Sequence, residues 1–542
     1  MSAELPRQIR IFVTDEVDPE GVELLTAESA FDVDVVPTLP PAELYQRIGE
    51  YDAFIGRSAT KVSAELLSHA TRLKVIGRAG VGIDNIDMPA ATSMGIAVVN
   101  APAGNTIAVA ELFFGAVLSL LRKLPAATAS MTQGRWDRSD LLGSELCGRT
   151  IGIVGVGRIG GEVAKRARAF GMTVIGYDPY IGDERFQALQ VRRVPTLDAL
   201  IPDADILTVH VPLTDETRGM IGRRELSRLP GGAVVANLAR GGIIDDQALL
   251  AALDAGTVRG ALLDVYVTEP LPADAPLRTA ANVVLTPHIG ASTIEAQRNV
   301  AVDVCAAVRD MMLHGELSRS INLATVSGRP WEELQPGLLL AQRAAAIGRA
   351  LLIDRGVPVV RRITLRAGTD LSGEGSALLS AAALGALERV VAGERLNLIS
   401  ARAIAEGRGI ELTVGDAART DEPTSIEVTL SGGMESVIVS GVVAPGGVVR
   451  LTQIGGFRVD VAPRQALIIL TNNDVPGVIG HVGTLLGAAG VNIAEYHQAR
   501  LSQGGEALAA IAVDGIIDDD LRHRLLELPD VRSATILDFR GA

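Results

Sequence analysis

The chain has 542 residues, too many for one hydrophobic core, so three or four domains are expected. Apolar residues make up 48% and charged residues 21%, a globular balance, and the net charge of −14 excludes a protein that meets nucleic acid through a basic face. The same charge repels anions globally, so an anionic ligand requires a local arginine cluster. Two cysteines, Cys147 and Cys305, exclude a disulfide framework and, unaided, a zinc site, so no metal is expected. They fit a reducing compartment. Met1–Arg10 has no apolar signal core, and the most apolar run, Val109–Leu121, carries Glu111 and is too short to cross a bilayer. A cytoplasmic protein that does not enter the membrane is therefore expected.

From Gln8 onward, Ile9–Thr14 reads as a strand and Pro19–Glu28 as a helix, followed by strands at Val33–Val36, Ala53–Gly56, Lys74–Gly77 and Ala97–Val99. Short β-rich runs separated by helical patterns predict a parallel α/β sheet. A second series starts at Arg149–Val154 and continues through Thr173–Tyr177, Ile206–Val211, Ala233–Asn237, Gly260–Asp264 and Val283–Thr286. The apolar spacing of the helix Ile294–Leu313 suits packing back onto the first series. Ser327-Gly328-Arg329-Pro330 is a turn cluster that marks a boundary. Beyond it, helical Pro336–Ile353 and Ser376–Val391 precede β-rich Ser425–Leu430, Ser436–Val443 and Val448–Gly455, an α+β piece without a nucleotide motif. After Ala462-Pro463 come strand Ala466–Thr471, helix Val478–Ala489, strands Val491–Ala499 and Glu506–Asp514, helix Asp518–Leu526 and strand Arg532–Phe539. This βαββαβ order predicts a ferredoxin-like domain.

Two sets of residues carry chemistry. Gly155-Val156-Gly157-Arg158-Ile159-Gly160 follows a strand and opens a helix, the context in which a glycine-rich turn brings backbone N–H groups to a pyrophosphate. Asp178 ends the next strand, where a carboxylate accepts both ribose hydroxyls and repels a 2′-phosphate, so NAD is favoured over NADP. Arg240, Glu269 and His288 each follow a strand, the end of an open sheet at which ligands bind. Hydride transfer from a hydroxy acid needs a cation to fork onto the carboxylate, an acid/base for the hydroxyl proton and a group that tunes that base. Arginine, histidine and glutamate fill those roles.

On these motifs, with Gly241-Gly242-Ile243-Ile244-Asp245 after the arginine and Ala291-Ser292-Thr293 after the histidine, residues 1–322 resemble the D-isomer-specific 2-hydroxyacid dehydrogenase family. The resemblance implies a flavodoxin-like substrate domain of residues 1–104 with 292–322 and a Rossmann NAD-binding domain of 105–291. It implies catalysis by His288, supported by Glu269, with Arg240 on the substrate carboxylate. It implies cofactor contacts through Arg158 and Ile159, His210, Pro212 and Thr217, Asp264 at the nicotinamide amide, Leu238, Ala239 and Gly290, with Arg240 and His288 beside the ring. The full architecture is similar to the long-form branch of the family, with an intervening domain (323–462) and a C-terminal ACT domain (463–542).

That branch implies NAD-dependent oxidation of 3-phospho-D-glycerate to 3-phosphohydroxypyruvate on the phosphorylated route to serine, in a dimer or tetramer. Arg57, Ser58 and Arg78, with the Val81–Gly82 loop and Arg135 across a dimer, would hold the substrate. Asn472 and Asp474, with Asn492 across an interface, would hold L-serine as effector, and the run from Arg450 to Asp460 would bind an anionic effector. Rival expectations are another family member that reduces hydroxypyruvate, glyoxylate or 2-oxoglutarate, and an NADH-sensing scaffold.

Overall fold

Alternating strands and helices build two parallel sheets from the first 285 residues, and two further sheets follow, in a computed structural model that describes residues 7–323, 329–388, 390–391, 395–416 and 422–540. Ser327 and Gly328 of the expected boundary turn lie outside the described residues. The first sheet has the order Phe31–Val35, Ile9–Val13, Ala53–Gly56, Val75–Arg78, Ala97–Asn100, all parallel. Its topological switch lies between Ile9–Val13 and Ala53–Gly56, so the crevice beyond the carboxyl ends of these strands is where such a sheet binds its ligand.

The second sheet has seven parallel strands in the order Val283–Leu285, Val258–Leu263, Ala233–Asn237, Ile206–Val209, Thr150–Val154, Thr173–Tyr177, Arg192–Arg193. Its switch falls between Thr150–Val154 and Ile206–Val209. The glycine motif follows the first of these strands and His210 follows the second. The helix Thr106–Leu121 packs on the helix Arg158–Ala169. The helix Ile294–His314 crosses back onto the first sheet, burying Val300, Val304 and Val308 against it and lying along the helix Pro19–Thr26.

The third sheet runs Glu411–Val414, Arg362–Ala367, Ser425–Gly432, Glu435–Ala444, Val448–Ile454, Phe457–Val461, with only the first pair parallel. Three of these strands, Arg362–Ala367, Glu411–Val414 and Phe457–Val461, were not foreseen from sequence. The helix above them is Trp331–Asp354, five residues longer at its start than the pattern suggested. Pro336 inside it forfeits one hydrogen bond, and the buried face of Trp331, Leu334 and Leu338 holds the first turns regardless. This helix is long and apolar enough to cross a membrane by composition, yet it packs on the helix Gly375–Leu387 and the strands below.

The fourth sheet is antiparallel, in the order Asn492–Arg500, Glu506–Asp514, Ala466–Asn473, Val531–Asp538, with helices Val478–Ala488 and Asp519–Leu526, the ferredoxin-like arrangement. It is fastened to the third sheet by Glu495, which accepts hydrogen bonds from Arg450 at 3.0 Å and the Ala462 N–H at 3.0 Å.

A Cβ placed on Gly21 would meet the Ala301 backbone at 2.6 Å, so the contact between the helices Pro19–Thr26 and Ile294–His314 tolerates no side chain there. Gly21→Ala is therefore expected to cost about 1–3 kcal/mol, as overpacking does. Thermal unfolding checks this, with a lowered midpoint as the expected result.

Candidate active site

The glycine motif is built as a cradle. Gly155 has φ +92 and a Cβ there would lie 2.5 Å from the His210 carbonyl, so the turn after Thr150–Val154 admits only glycine. A Cβ on Gly160 would overlap the Gly155 carbonyl, which sets the close approach of helix to turn. Gly157, by contrast, has no heavy atom within 4 Å of a built Cβ, so the space above it is open to a ligand. Arg158 and Ile159 begin the helix whose first N–H groups face that space.

The Asp178 carboxylate accepts the Val156 N–H at 2.9 Å and the Tyr180 N–H at 3.0 Å, which fixes it beside the turn. His210 bonds Thr208 at 3.0 Å through Nε2, while its buried Nδ1 has no partner among the described residues. Burial pushes its pKa down to about 4, so the ring is neutral at physiological pH. Thr217 donates to the Pro212 carbonyl at 2.6 Å and accepts the Thr214 N–H at 2.7 Å, closing the loop after Ile206–Val209. An open glycine turn, a fixed carboxylate at the next strand end and an unpartnered imidazole nitrogen fit a dinucleotide such as NAD.

His288 and Glu269, expected as a pair, meet. His288 Nδ1 lies 2.7 Å from Glu269 Oε2, and Glu269 Oε1 accepts the Tyr266 N–H at 2.9 Å. With Nδ1 committed to the carboxylate, Nε2 is the nitrogen left for a substrate proton. His288 stands in the left-handed region with φ +53, a conformation that its surroundings impose. Asp264 supplies the constraint. Only 1% exposed, it accepts Thr286 Oγ1 at 2.6 Å and the N–H groups of Ile289 and Gly290 at 2.8 Å each. A buried carboxylate needs such partners. Asp264 thus holds the histidine loop, and Oδ2, with one donor among the described residues, keeps accepting capacity for the nicotinamide amide expected beside it.

Three arginines converge from two sheets. Arg240, after the strand Ala233–Asn237, donates from Nε to Asp84 at 2.9 Å and from Nη1 to the Ala239 carbonyl at 2.7 Å, while Asn237 holds the Arg240 carbonyl at 2.7 Å. A Cβ on Gly82 would overlap Arg240 Nη2, and one on Gly80 would overlap the Arg78 guanidinium, so both side chains lie over glycines. Arg78, whose buried Nε has no partner among the described residues, has a pKa pulled down to about 10, first by burial and then by Arg240 and Arg57. Asn100 Nδ2 holds the Val81 carbonyl at 2.6 Å and so fixes the Val81–Gly82 loop. Leu238 is buried and Ala239 half-buried beside Arg240, and Ser58 is exposed next to Arg57.

Other expected residues lie elsewhere. Arg135 follows the helix Leu124–Thr132, pairs with Asp137 at 3.1 Å and has no described contact with the arginine cluster. Asn472 is buried, accepting from Gln498 at 3.2 Å and donating to the Asn473 carbonyl at 2.6 Å. Asp474 is held below the usual carboxylate range by the Gly504 N–H and then by Arg500. Asn492 binds Asp514 at 3.0 Å at the opposite end of the same sheet, since Asn472 pairs with Ala507 and Asn492 with Asp514. One chain therefore does not bring these three together. Arg450 is bound to Asp460 at 2.7 Å and to Glu495, so the run around it carries its own counter-charge. Sequence reading missed Asp15, which sits in no motif, and gave no role to Asp84, although the run Gly77–Asn85 that resembles the family contains it.

Gly157→Val fills only open space, so folding is expected to persist while NADH affinity falls at least about a hundredfold, as a blocked phosphate approach implies. Calorimetric NADH titration alongside a thermal melt reads both.

Comparison with known proteins agrees with this geometry. Residues 114–290 match the family described as D-isomer specific 2-hydroxyacid dehydrogenase, NAD binding domain. The chain is 37% identical over 532 residues to the D-3-phosphoglycerate dehydrogenase of Methanocaldococcus jannaschii, covering 98% of this chain and 100% of the relative. It is 38% identical over 531 residues to that of Bacillus subtilis, covering 98% and 99%. Among solved structures, the TT0316 protein from Thermus thermophilus superimposes with a TM-score of 0.54 at 34% identity, over 58% of this chain and all of that one. A NAD-dependent formate dehydrogenase from Staphylococcus aureus in complex with NAD gives a TM-score of 0.51 at 29% identity, over 57% of this chain and 97% of that one. End-to-end likeness at this level, over a chain that holds the Arg240, Glu269 and His288 set, places it: the chain belongs to the D-3-phosphoglycerate dehydrogenase family.

Proposed function

We propose that the chain oxidises 3-phospho-D-glycerate at C2 to 3-phosphohydroxypyruvate. The observation that supports this reading is the convergence of Arg57, Arg78 and Arg240, with Gly241 next to Arg240 packed on the backbone of Tyr266, whose N–H is bound by Glu269 of the histidine–glutamate pair. The substrate has a carboxylate and a phosphate at its two ends, and a cluster of guanidinium groups matches both. Arg240 holds the carboxylate with the N–H groups of the Val81–Gly82 loop, and Arg57 and Arg78 meet the phosphate. His288 Nε2 takes the C2 hydroxyl proton as the C2 hydride departs. Glu269 stabilises the imidazolium that results and keeps the ring in the tautomer that can accept at Nε2. NAD, when bound, supplies the hydride acceptor.

In this reading the substrate domain is 1–104 with 292–322, the NAD domain 105–291, the intervening domain 323–462 and the ACT domain 463–542. The ACT domain binds L-serine as effector within a dimer or tetramer in the cytoplasm. Asp474, kept charged, offers a carboxylate to the serine ammonium, and Asn492 reaches it only from a neighbouring copy.

NADH oxidation with 3-phosphohydroxypyruvate, compared with hydroxypyruvate, glyoxylate and 2-oxoglutarate, tests the substrate. The phosphorylated keto acid is expected to have the highest kcat/KM; a higher value for any other contradicts the reading. His288→Asn is expected to lower kcat by about 10²–10⁴-fold, the range of general acid–base catalysis, while NADH affinity changes little. Equal loss of turnover and NADH binding would remove His288 from its role.

A further inference from the structure

We propose that Asp15 is a positioning residue for phosphate recognition: it holds the loop 57–60 so that Arg57 stands beside Arg78. The proposal rests on the substrate reading above and adds to it a residue that does not touch substrate. Asp15 and Arg57 follow the strands Ile9–Val13 and Ala53–Gly56, which flank the topological switch of the first sheet. The carboxylate is 4% exposed and gathers the donors of that loop. Oδ2 accepts the Arg57 N–H at 2.8 Å and the Thr60 N–H at 3.0 Å; Oδ1 accepts Thr60 Oγ1 at 2.7 Å and Thr38 Oγ1 at 2.9 Å.

The acceptors of the same loop are taken by another residue. Asn85 Nδ2 donates to the Arg57 carbonyl at 2.9 Å and to the Thr60 carbonyl at 2.7 Å. Residues 57 and 60 are therefore pinned from both sides, their N–H groups by a carboxylate and their carbonyls by an amide. Asp15 and Glu16 both lie in the left-handed region, with φ +66 and +54. Two such residues in succession persist only where the surroundings fix them, and here they aim the carboxylate across the switch.

The charge of Asp15 works against a phosphate, which makes its role separable. Arg57, Arg78 and Arg240 face Asp15 and Asp84, and both carboxylates raise the Arg78 pKa that burial and the other arginines lower. If Asp15 acted by charge alone, Asp15→Asn would improve binding of the phosphorylated substrate. If it acts by position, the same change harms it: with the amide oxygen on the Arg57 and Thr60 N–H groups, the NH2 meets the Thr60 and Thr38 hydroxyls, which must turn from donors to acceptors, and four charge-assisted bonds become neutral ones. Asparagine also tolerates the left-handed backbone, so the variant keeps the turn.

The experiment measures kcat/KM for NADH oxidation with 3-phosphohydroxypyruvate and with hydroxypyruvate in the full-length enzyme, its Asp15→Asn variant and its Thr60→Val variant. Asp15→Asn is expected to lower the value for the phosphorylated substrate about ten- to a hundredfold, chiefly through KM, since sub-ångström to ångström misplacement of a binding group costs that much. The value for hydroxypyruvate is expected to change by less than about twofold on the same scale. Thr60→Val removes one donor without altering charge and is expected to shift the ratio in the same direction by a smaller factor, so it serves where Asp15→Asn fails to fold. A gain for the phosphorylated substrate, an equal loss for both substrates, or an unchanged ratio in both variants overturns the proposal. A full-length enzyme that does not favour the phosphorylated keto acid overturns the substrate reading first, and the proposal with it.

Discussion

Repulsion among Arg57, Arg78 and Arg240 is the constraint around which the site is arranged. Arg78 is half-buried, its Nε has no partner among the described residues, and two further guanidinium groups lie close enough to make its charge less favourable. Nothing in a chain with a net charge of −14 concentrates cations by accident of composition. The fold achieves it by placing the carboxyl ends of two parallel sheets opposite each other, with Arg57 and Arg78 from one and Arg240 from the other. Gly80 and Gly82 leave the space in which Arg78 and Arg240 lie. Asp84 takes Arg240 Nε, which turns the remaining edge of that guanidinium toward the cluster. Such an exposed ion pair contributes little stability, so its consequence is orientation.

The placement of the His288–Glu269 pair depends on backbone more than on charge. Asp264 anchors Thr286, Ile289 and Gly290, and the chain between them turns through the left-handed residue His288. Glu269 then needs only to meet Nδ1. In the proposed reaction a hydroxy acid held by its carboxylate on Arg240 would present its hydroxyl to the free nitrogen of the ring. Binding and proton transfer thus come from loops that follow different strands but share one crevice.

The parts legible in sequence were those with a period or a spacing. The alternation of β-rich and helical runs gave the strands of both parallel sheets to within a few residues, except the two-residue edge strand Arg192–Arg193, and the glycine motif announced its turn because only glycine meets the demands at Gly155. Arg240, Glu269 and His288 were found by type and by position after strands. The strand Arg362–Ala367 was missed although its Ile363, Leu365 and Ala367 alternate, because arginines fill the other face. Glu411–Val414 is four residues long with no buried member, too short for its polar–apolar alternation to stand out. Asp264 sat in a recognisable motif, yet its bonds to a loop about 25 residues away could not be read from it. Asp15 is hidden for the same reason: its partners Arg57 and Thr60 lie more than 40 residues downstream, and an aspartate after a strand looks like any turn residue.

The central claim is that a local arginine cluster overcomes global repulsion to select a phosphorylated substrate. Arg78→Gln, assayed for kcat/KM with 3-phosphohydroxypyruvate against hydroxypyruvate, tests it most directly. Loss of a buried charge partner predicts that preference for the phosphorylated substrate falls about a hundredfold while hydroxypyruvate is still reduced. An undiminished preference in the folded variant would contradict the account.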